Sequence, residues 1–547
     1  MRGGEALAPH GRGVKLHGRT TGGTPMIEQG SPAAAVQRAK DRGIVFPEGP
    51  DGGPSSRHAG ARIVAAALAA IDPDHAEDAR RERRWRHAYP LHFRRLVEDS
   101  MRSRQVALAS ARAGLTLAWG TLRWEAGGAS CSLHDALALP TDPLASVNVR
   151  GHGDPRPAAL AVPYRGELLQ GEALAAQIDD WLARGIIEPS AAQALHRCLR
   201  HAEWFDLSDR TMVLLGAGSE AGPLRWLSRW RARIVAVDVP GEPVWRRIGA
   251  IVADGNGVLV APVRGRVRAV DEDGGWVADA GVDLLTEAPR AAAWICAQPG
   301  PLDVAALGYL DGERHVRLSL AMDMVQAAAA RDPRASMAWM ATPTDVFAVP
   351  ATTARRAQEA YAQRPPMQRA WQAPLRLASG DRLFNANVER IEATGEGLEY
   401  GLVDSLIVEQ GPNYALAKRL QQWRAVIARE AGHRVCLNVA PSTSTASVLK
   451  NPAFAAGFAG ADAFGIEVFE PATTTAIMAA LWVHDLRADE SAANPARPLA
   501  HPFELFMDNA CHGGLWTSAY RARSALPMAA VIGWLRGPKR ARLLAAG

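Results

Sequence analysis

Lysine is nearly absent. Only Lys15, Lys40, Lys418, Lys450 and Lys539 occur among 62 basic residues, so arginine carries almost all of the positive charge. A lysine in a chemically suggestive place therefore stands out. The basic side chains are interleaved with 57 acidic ones for a net charge of +5, with no long lysine tract. This is a weakly basic surface, and it argues against a nucleic-acid partner. Cysteine is sparse too: Cys131, Cys198, Cys296, Cys436 and Cys511 are odd in number and include no CxxC pair. That favours a reducing compartment over a disulfide framework or a cysteine zinc site. No uninterrupted apolar run approaches the roughly 18 residues of a membrane span, and the opening MRGGEALAPHGRG has no apolar core. The expectation is a cytoplasmic chain without a membrane span. No histidine–carboxylate group has metal-ligand spacing, so no metal is expected.

What is present is a long chain with an enzyme-like apolar content: 547 residues, 48% hydrophobic. At roughly 100–200 residues per domain, that length suggests several domains. Residues 1 to about 60 are rich in Gly, Pro and Ser and read as a mobile segment. Residues 61–204 read as mainly helical. Candidates are Ala61 to Ile71, an arginine-rich region from Arg80 to about Trp119, Glu172 to Arg184 stopped by Gly185, and a helix opening at Ser190 as N-cap. Between Thr121 and Arg165, Gly and Pro break the chain into loops and short strands. From residue 205 to 490, strand and helix patterns alternate, which predicts an α/β fold around a parallel sheet. Apolar runs at Met212 to Leu215, Ile234 to Val237, Val258 to Val263, Val267 to Val270, Ser336 to Met340, Leu402 onward and Val435 to Val439 are the strand candidates. Residues 346–400 interrupt the rhythm as an insertion, and 491–547 form a C-terminal extension.

The stretch TMVLLGAGSEAGPLRWLSRWRARIVAVD, Thr211 to Asp238, organises this region. It reads as strand, glycine-rich turn, helix, strand. Gly216, Gly218 and Gly222 allow a tight turn with close backbone approach, and Asp238 ends the second strand 22 residues after Gly216, where a nucleotide-binding unit holds a ribose hydroxyl. Ser219, Glu220 and Ala221 complete the candidate phosphate-facing turn. On these residues alone, a methyltransferase that uses S-adenosylmethionine fits as well.

Tyr414 and Lys418 break that tie. They lie four apart on a predicted helix and so project from one face. A nearby ammonium favours the ionised phenol, which is expected to bring Tyr414 closer to neutral pH as an acid or base. With seven Tyr and five Lys in the chain, this spacing arises by chance only about 0.06 times.

In the order of these motifs, residues 210 to 490 resemble the short-chain dehydrogenase/reductase superfamily, whose fold is a doubly wound parallel sheet of the Rossmann type. Gly216 and Gly222 match the ends of its GxxxGxG turn. Asp238 stands where an acid selects NAD(H) over NADP(H). Asp283 and Leu284 resemble the pair beside adenine, Ala305, Ala306 and Gly308 resemble the small-residue loop on the nicotinamide side, and Pro441 and Thr445 in APSTST resemble the PGxxxT segment. Tyr414 and Lys418 match the catalytic YxxxK. The resemblance implies that Tyr414 exchanges a proton with the substrate oxygen while Lys418 holds the nicotinamide ribose. Two places depart from the pattern: Glu220 replaces the middle glycine, and the catalytic serine has two equal candidates, Ser405 and Thr344, with Thr342 following the same strand as Thr344.

The expectation is an NAD(P)-dependent oxidoreductase interconverting a carbonyl and an alcohol by hydride transfer. The apolar segment Ala446 to Phe469 and the tail around His512 mildly favour a hydrophobic substrate. The resemblance allows a homo-oligomer. A methyltransferase and a non-catalytic dinucleotide-binding protein are the alternatives. Cys511–His512 reads as a packing loop near the cleft, His315 and His484 as structural or exposed, and Trp226, Trp230, Trp245 and Trp294 as core.

Overall fold

The computed structural model describes residues 42–265 and 275–537. The predicted strand Val267 to Val270 and most of the predicted mobile segment lie outside them. Structure begins earlier than the composition suggests. Gly43–Val45 pairs antiparallel with Arg123–Ala126, and the first helix, α1, already spans Ser56–Ala69, with the Ser55 side chain accepting from the His58 N–H. Helices α2 (Trp85–Ser100) and α3 (Arg104–Thr121) follow, then α4 (Gly171–Arg184) and α5 (Pro189–Arg200). Gly185 ends α4 in the left-handed conformation, φ 71°, as expected of a glycine C-cap. The N-cap of α5 is Glu188 and not Ser190, because Pro189 takes the first helical position, where its missing N–H costs nothing. All of these elements belong to one compact unit with the chain that follows.

Seven strands build the central sheet: β1 (Ala145–Arg150), β2 (Thr211–Leu215), β3 (Arg233–Val237), β4 (Val258–Val263), β5 (Leu302–Ala306), β6 (Ser336–Ala341) and β7 (Val435–Val439). Their order is β7-β6-β5-β2-β3-β4-β1, parallel throughout except for β1, which pairs antiparallel with β4. The chain is thus an α/β protein with a mostly parallel sheet. Strand residues alternate between two apolar cores, one on each face. Val213, Leu215, Val235, Val237 and Val304 enter the first; Met212, Leu214, Ile234, Ala236 and Ala305 enter the second. Burial on both faces is why these strands read as unbroken apolar runs. On the first face lie α6 (Leu284–Cys296), α7 (Glu313–Ala329) and α8 (Pro412–Glu430), with α1 to α3 packed outside them. Gly114 of α3 makes room for Trp423 of α8, since a Cβ there would lie 2.4 Å from the indole. The other face carries α4, α5 and α10 (Pro471–Arg487), the number α9 being kept for Pro452–Gly460 beside the site. The four predicted core tryptophans are buried.

Two expectations fail for topological reasons. The run beginning at Leu402 is a strand, Glu399–Asp404, but it pairs antiparallel with Val346–Pro350 and Ile391–Ala393 in a small separate sheet within the insertion. The helix expected after the glycine turn is a single turn, Leu224–Leu227, before the chain swings through Arg231 at φ 59° into β3.

Candidate functional site

Between β2 and β5 the chain reverses its direction of travel across the sheet. Crevices outside the carboxyl ends of strands at such a point are the usual ligand sites of open α/β sheets. Here the crevice is a cavity of about 800 Å³.

Its floor is the glycine turn. Gly216 has φ +95°, and a Cβ on it would lie 2.7 Å from the backbone of Gly308 in the loop after β5, so both the backbone conformation and the close approach require glycine at 216. Gly216→Ala is expected to lower stability by more than about 1 kcal/mol, read from the urea midpoint, because the backbone sign and the contact both reject a side chain. Asp238 lies beside this turn. Its two carboxylate oxygens accept from the N–H groups of Gly218 (2.7 Å) and Val239 (2.8 Å), and Arg247 donates to the Gly218 carbonyl at 2.9 Å. The acid at the end of β3 therefore orders the turn as well as facing the cavity.

On the far wall, α8 presents Tyr414 and Lys418, both half-buried. The Thr342 hydroxyl hydrogen-bonds Tyr414, and it lies 2.9 Å from the Thr344 hydroxyl at the end of β6. Burial pushes Tyr414 up to about 12, with Thr342 pulling it down and the Asp345 carboxylate pushing it further up. The expected shift toward neutrality is therefore reversed. Lys418 Nζ stands 5.9 Å from the tyrosine ring centroid and donates to Gln421 Oε1 at 3.4 Å, too far to offset desolvation. Burial lowers Lys418 itself to about 8, with Asp345 acting against the fall. Asp345 is buried behind both. It accepts from Arg419 (2.9 Å), Gln422 (2.9 Å) and the Val346 N–H (2.7 Å).

The cavity gathers Gly216, Gly218, Ser219, Glu220, Ala221, Asp238, Asp283, Leu284, Ala306, Gly308, Thr344, Tyr414, Lys418, Pro441 and Thr445 on one surface. Gly222 and Ser405 are not on it. Gly222 closes the turn by donating to the Ser219 carbonyl at 2.9 Å. Ser405 is fully buried and lies in the loop after the insertion's strand, so the hydroxyl at Tyr414 comes from Thr342 and not from Ser405. Ala305 points into the second core. Asp283 caps α6, accepting from the Leu285 N–H at 2.9 Å. Glu220 turns across the cleft, where its carboxylate accepts from the Ala446 N–H at 3.0 Å.

Val448, Asn451, Phe454 and Phe458, from the apolar segment after APSTST and from α9, line the cavity; the loop around His512 does not. That loop is buried elsewhere, with His512 bonded to Glu188 at 3.0 Å and burial raising the Cys511 thiol. His315 does line the cavity, against the expectation of a structural or exposed residue. Nothing in its neighbourhood along the chain signals this, since the fold alone brings it to Tyr414. Far from the cavity, Asp72, His75 and Asp99 converge with potential ligand atoms within 4.8 Å of one another, a grouping that their spacing in the chain conceals. Arg102 already pairs with Asp99 at 2.8 Å there.

A scan against protein-family models gives no match, and a search of the curated proteins gives none either. No helix among the described residues is long and apolar enough to cross a membrane. Fold and cavity thus define an α/β protein with a half-buried tyrosine–threonine–lysine group facing a glycine turn.

Proposed function

We propose that the chain binds a nicotinamide dinucleotide, NAD(H) in preference to NADP(H), and interconverts a carbonyl and an alcohol by hydride transfer, in the manner of the short-chain dehydrogenases/reductases. The observation that carries this reading is the single cavity joining the glycine turn and Asp238 to Thr342, Tyr414 and Lys418. The strand order β4-β3-β2-β5-β6-β7 supports it, being that of a Rossmann sheet. The residues present fit the nucleotide best at its two ends. Asp238 retains accepting lone pairs for ribose hydroxyls and repels a 2′-phosphate, while Leu284 and Val239 offer apolar contact nearby. The middle is weaker: one helical turn after the glycines gives little dipole for a pyrophosphate, and Glu220 adds negative charge.

A bound nicotinamide supplies the hydride. Tyr414, protonated at neutral pH, donates its proton to the carbonyl oxygen of the substrate in reduction; in oxidation it accepts the alcohol proton only after losing its own. Thr342 holds the phenol in place, and the Lys418 ammonium stabilises negative charge developing on that oxygen. Calorimetric titration with NADH, NADPH and S-adenosylmethionine tests the reading. NADH is expected to bind most tightly. Tight binding of the methyl donor without either nicotinamide nucleotide would replace hydride transfer by methyl transfer.

A further inference from the structure

The cavity wall beside Tyr414 holds a side chain that proton transfer leaves idle. His315, near the start of α7, is 1% exposed, lines the cavity, and has no hydrogen-bond partner on either ring nitrogen among the described residues. Its ring stacks on Tyr414 with centroids 5.6 Å apart and 22° between planes, and Tyr309 flanks it at 4.9 Å. Buried polar groups in native proteins are nearly always satisfied, and an orphan at a cavity wall calls for a ligand atom. His92 is orphaned too, but it stacks on Trp85 and is not among the residues lining this cavity. Burial, reinforced by Lys418, holds the His315 imidazole well below its usual range. It is therefore neutral, with one nitrogen donating and the other accepting. Leu310, Ile407, Val448, Phe454 and Phe458 line the same cavity, as do the polar Asp311, Arg314, Glu409, Gln410 and Asn451.

We infer that His315 is a substrate-binding residue that hydrogen-bonds a second oxygen, hydroxyl or keto, one or two carbons from the carbonyl addressed by Tyr414. The substrate class is then an α- or β-oxygenated carbonyl compound. This rests on the oxidoreductase reading only in taking Tyr414 to mark the reacting oxygen. Stacking of the two rings places the groups they bind on neighbouring atoms of one small molecule. A neutral imidazole serves a hydroxyl and a keto oxygen equally, whereas it offers an anion no countercharge.

Protein saturated with a 1,4,5,6-tetrahydronicotinamide analogue of NADH, which cannot transfer hydride, is titrated calorimetrically with cyclohexanone and with 2-hydroxycyclohexanone. The wild-type chain is expected to bind the hydroxyketone at least about tenfold more tightly, as a site that loses a hydrogen bond to the plain ketone should. His315→Leu should abolish that preference while leaving cyclohexanone affinity within about twofold, and His315→Gln, which keeps a donor and an acceptor, should restore part of it. Equal affinity in the wild type, binding of neither ketone, or a preference that survives His315→Leu overturns the inference. Failure of NADH to bind counts against the oxidoreductase reading instead. The same ketone titrations without nucleotide then decide the role of His315.

Discussion

On the proposed oxidoreductase reading, Tyr414→Phe is expected to lower kcat for carbonyl reduction by about a hundredfold to ten-thousandfold, the usual loss when a positioned general acid is removed. KM for the carbonyl changes far less, because the ring still packs on His315 and Tyr309 and only the proton is gone. Steady-state kinetics on any accepted ketone measure the split, and unchanged kcat would remove Tyr414 from the mechanism. The pH profile follows from the two neighbouring groups. Tyr414, raised to about 12, keeps its proton across the accessible range, so it does not limit reduction. Lys418, lowered to about 8, is charged below that pH and neutral above it. Hence kcat/KM for the carbonyl falls as pH rises through about 8, as the charge that stabilises the developing oxyanion is lost. In Lys418→Arg the charge persists to far higher pH, and the fall moves upward with it.

Arg419→Met destabilises the fold by about 3–5 kcal/mol, because it leaves the Asp345 carboxylate buried and without its cationic partner. Arg419 and Asp345 are 4% and 1% exposed, so water cannot take over the contact. Gln422 and the Val346 N–H remain, and they hold the carboxylate without neutralising it. Urea denaturation reads the loss as a lower midpoint at unchanged slope. Adding Asp345→Asn to the same chain recovers most of it, because no buried charge is then left uncompensated. A single variant as stable as the parent would mean that the carboxylate takes up a proton in the fold.

How much of this was legible beforehand depends on what each residue's role requires. The strands from β2 to β7 are visible as apolar runs because both faces of the sheet are covered, and Tyr414 and Lys418 are visible because one helical turn fixes their separation. β1 was hidden: ASVNVR alternates polar and apolar residues at an antiparallel edge and resembles any surface strand. The choice between Ser405 and Thr344 could not be made from spacing, since each follows a strand; only topology says which strand belongs to the central sheet, and the hydroxyl on Tyr414 is that of Thr342, two residues before Thr344. The pKa of Tyr414 was misjudged in sign because adjacency along a helix reports the ammonium but not the burial. His315 and Asp345 carry no local signature, and their importance comes from elements far apart in the chain meeting at one wall.

The N-terminal helices bear on this site from a distance. Gly114 of α3 receives Trp423, and Trp119 and Arg424 share the Asp323 carboxylate at 2.5 Å each, so α8 is gripped from outside as firmly as the sheet grips it from within. A helix clamped on both sides has little entropy left to lose when a ligand arrives. Most of the ordering of Tyr414 and Lys418 is completed at folding, by residues that never approach the cavity. Helix α3 is thereby part of the preorganisation of the cavity wall that carries Tyr414 and Lys418.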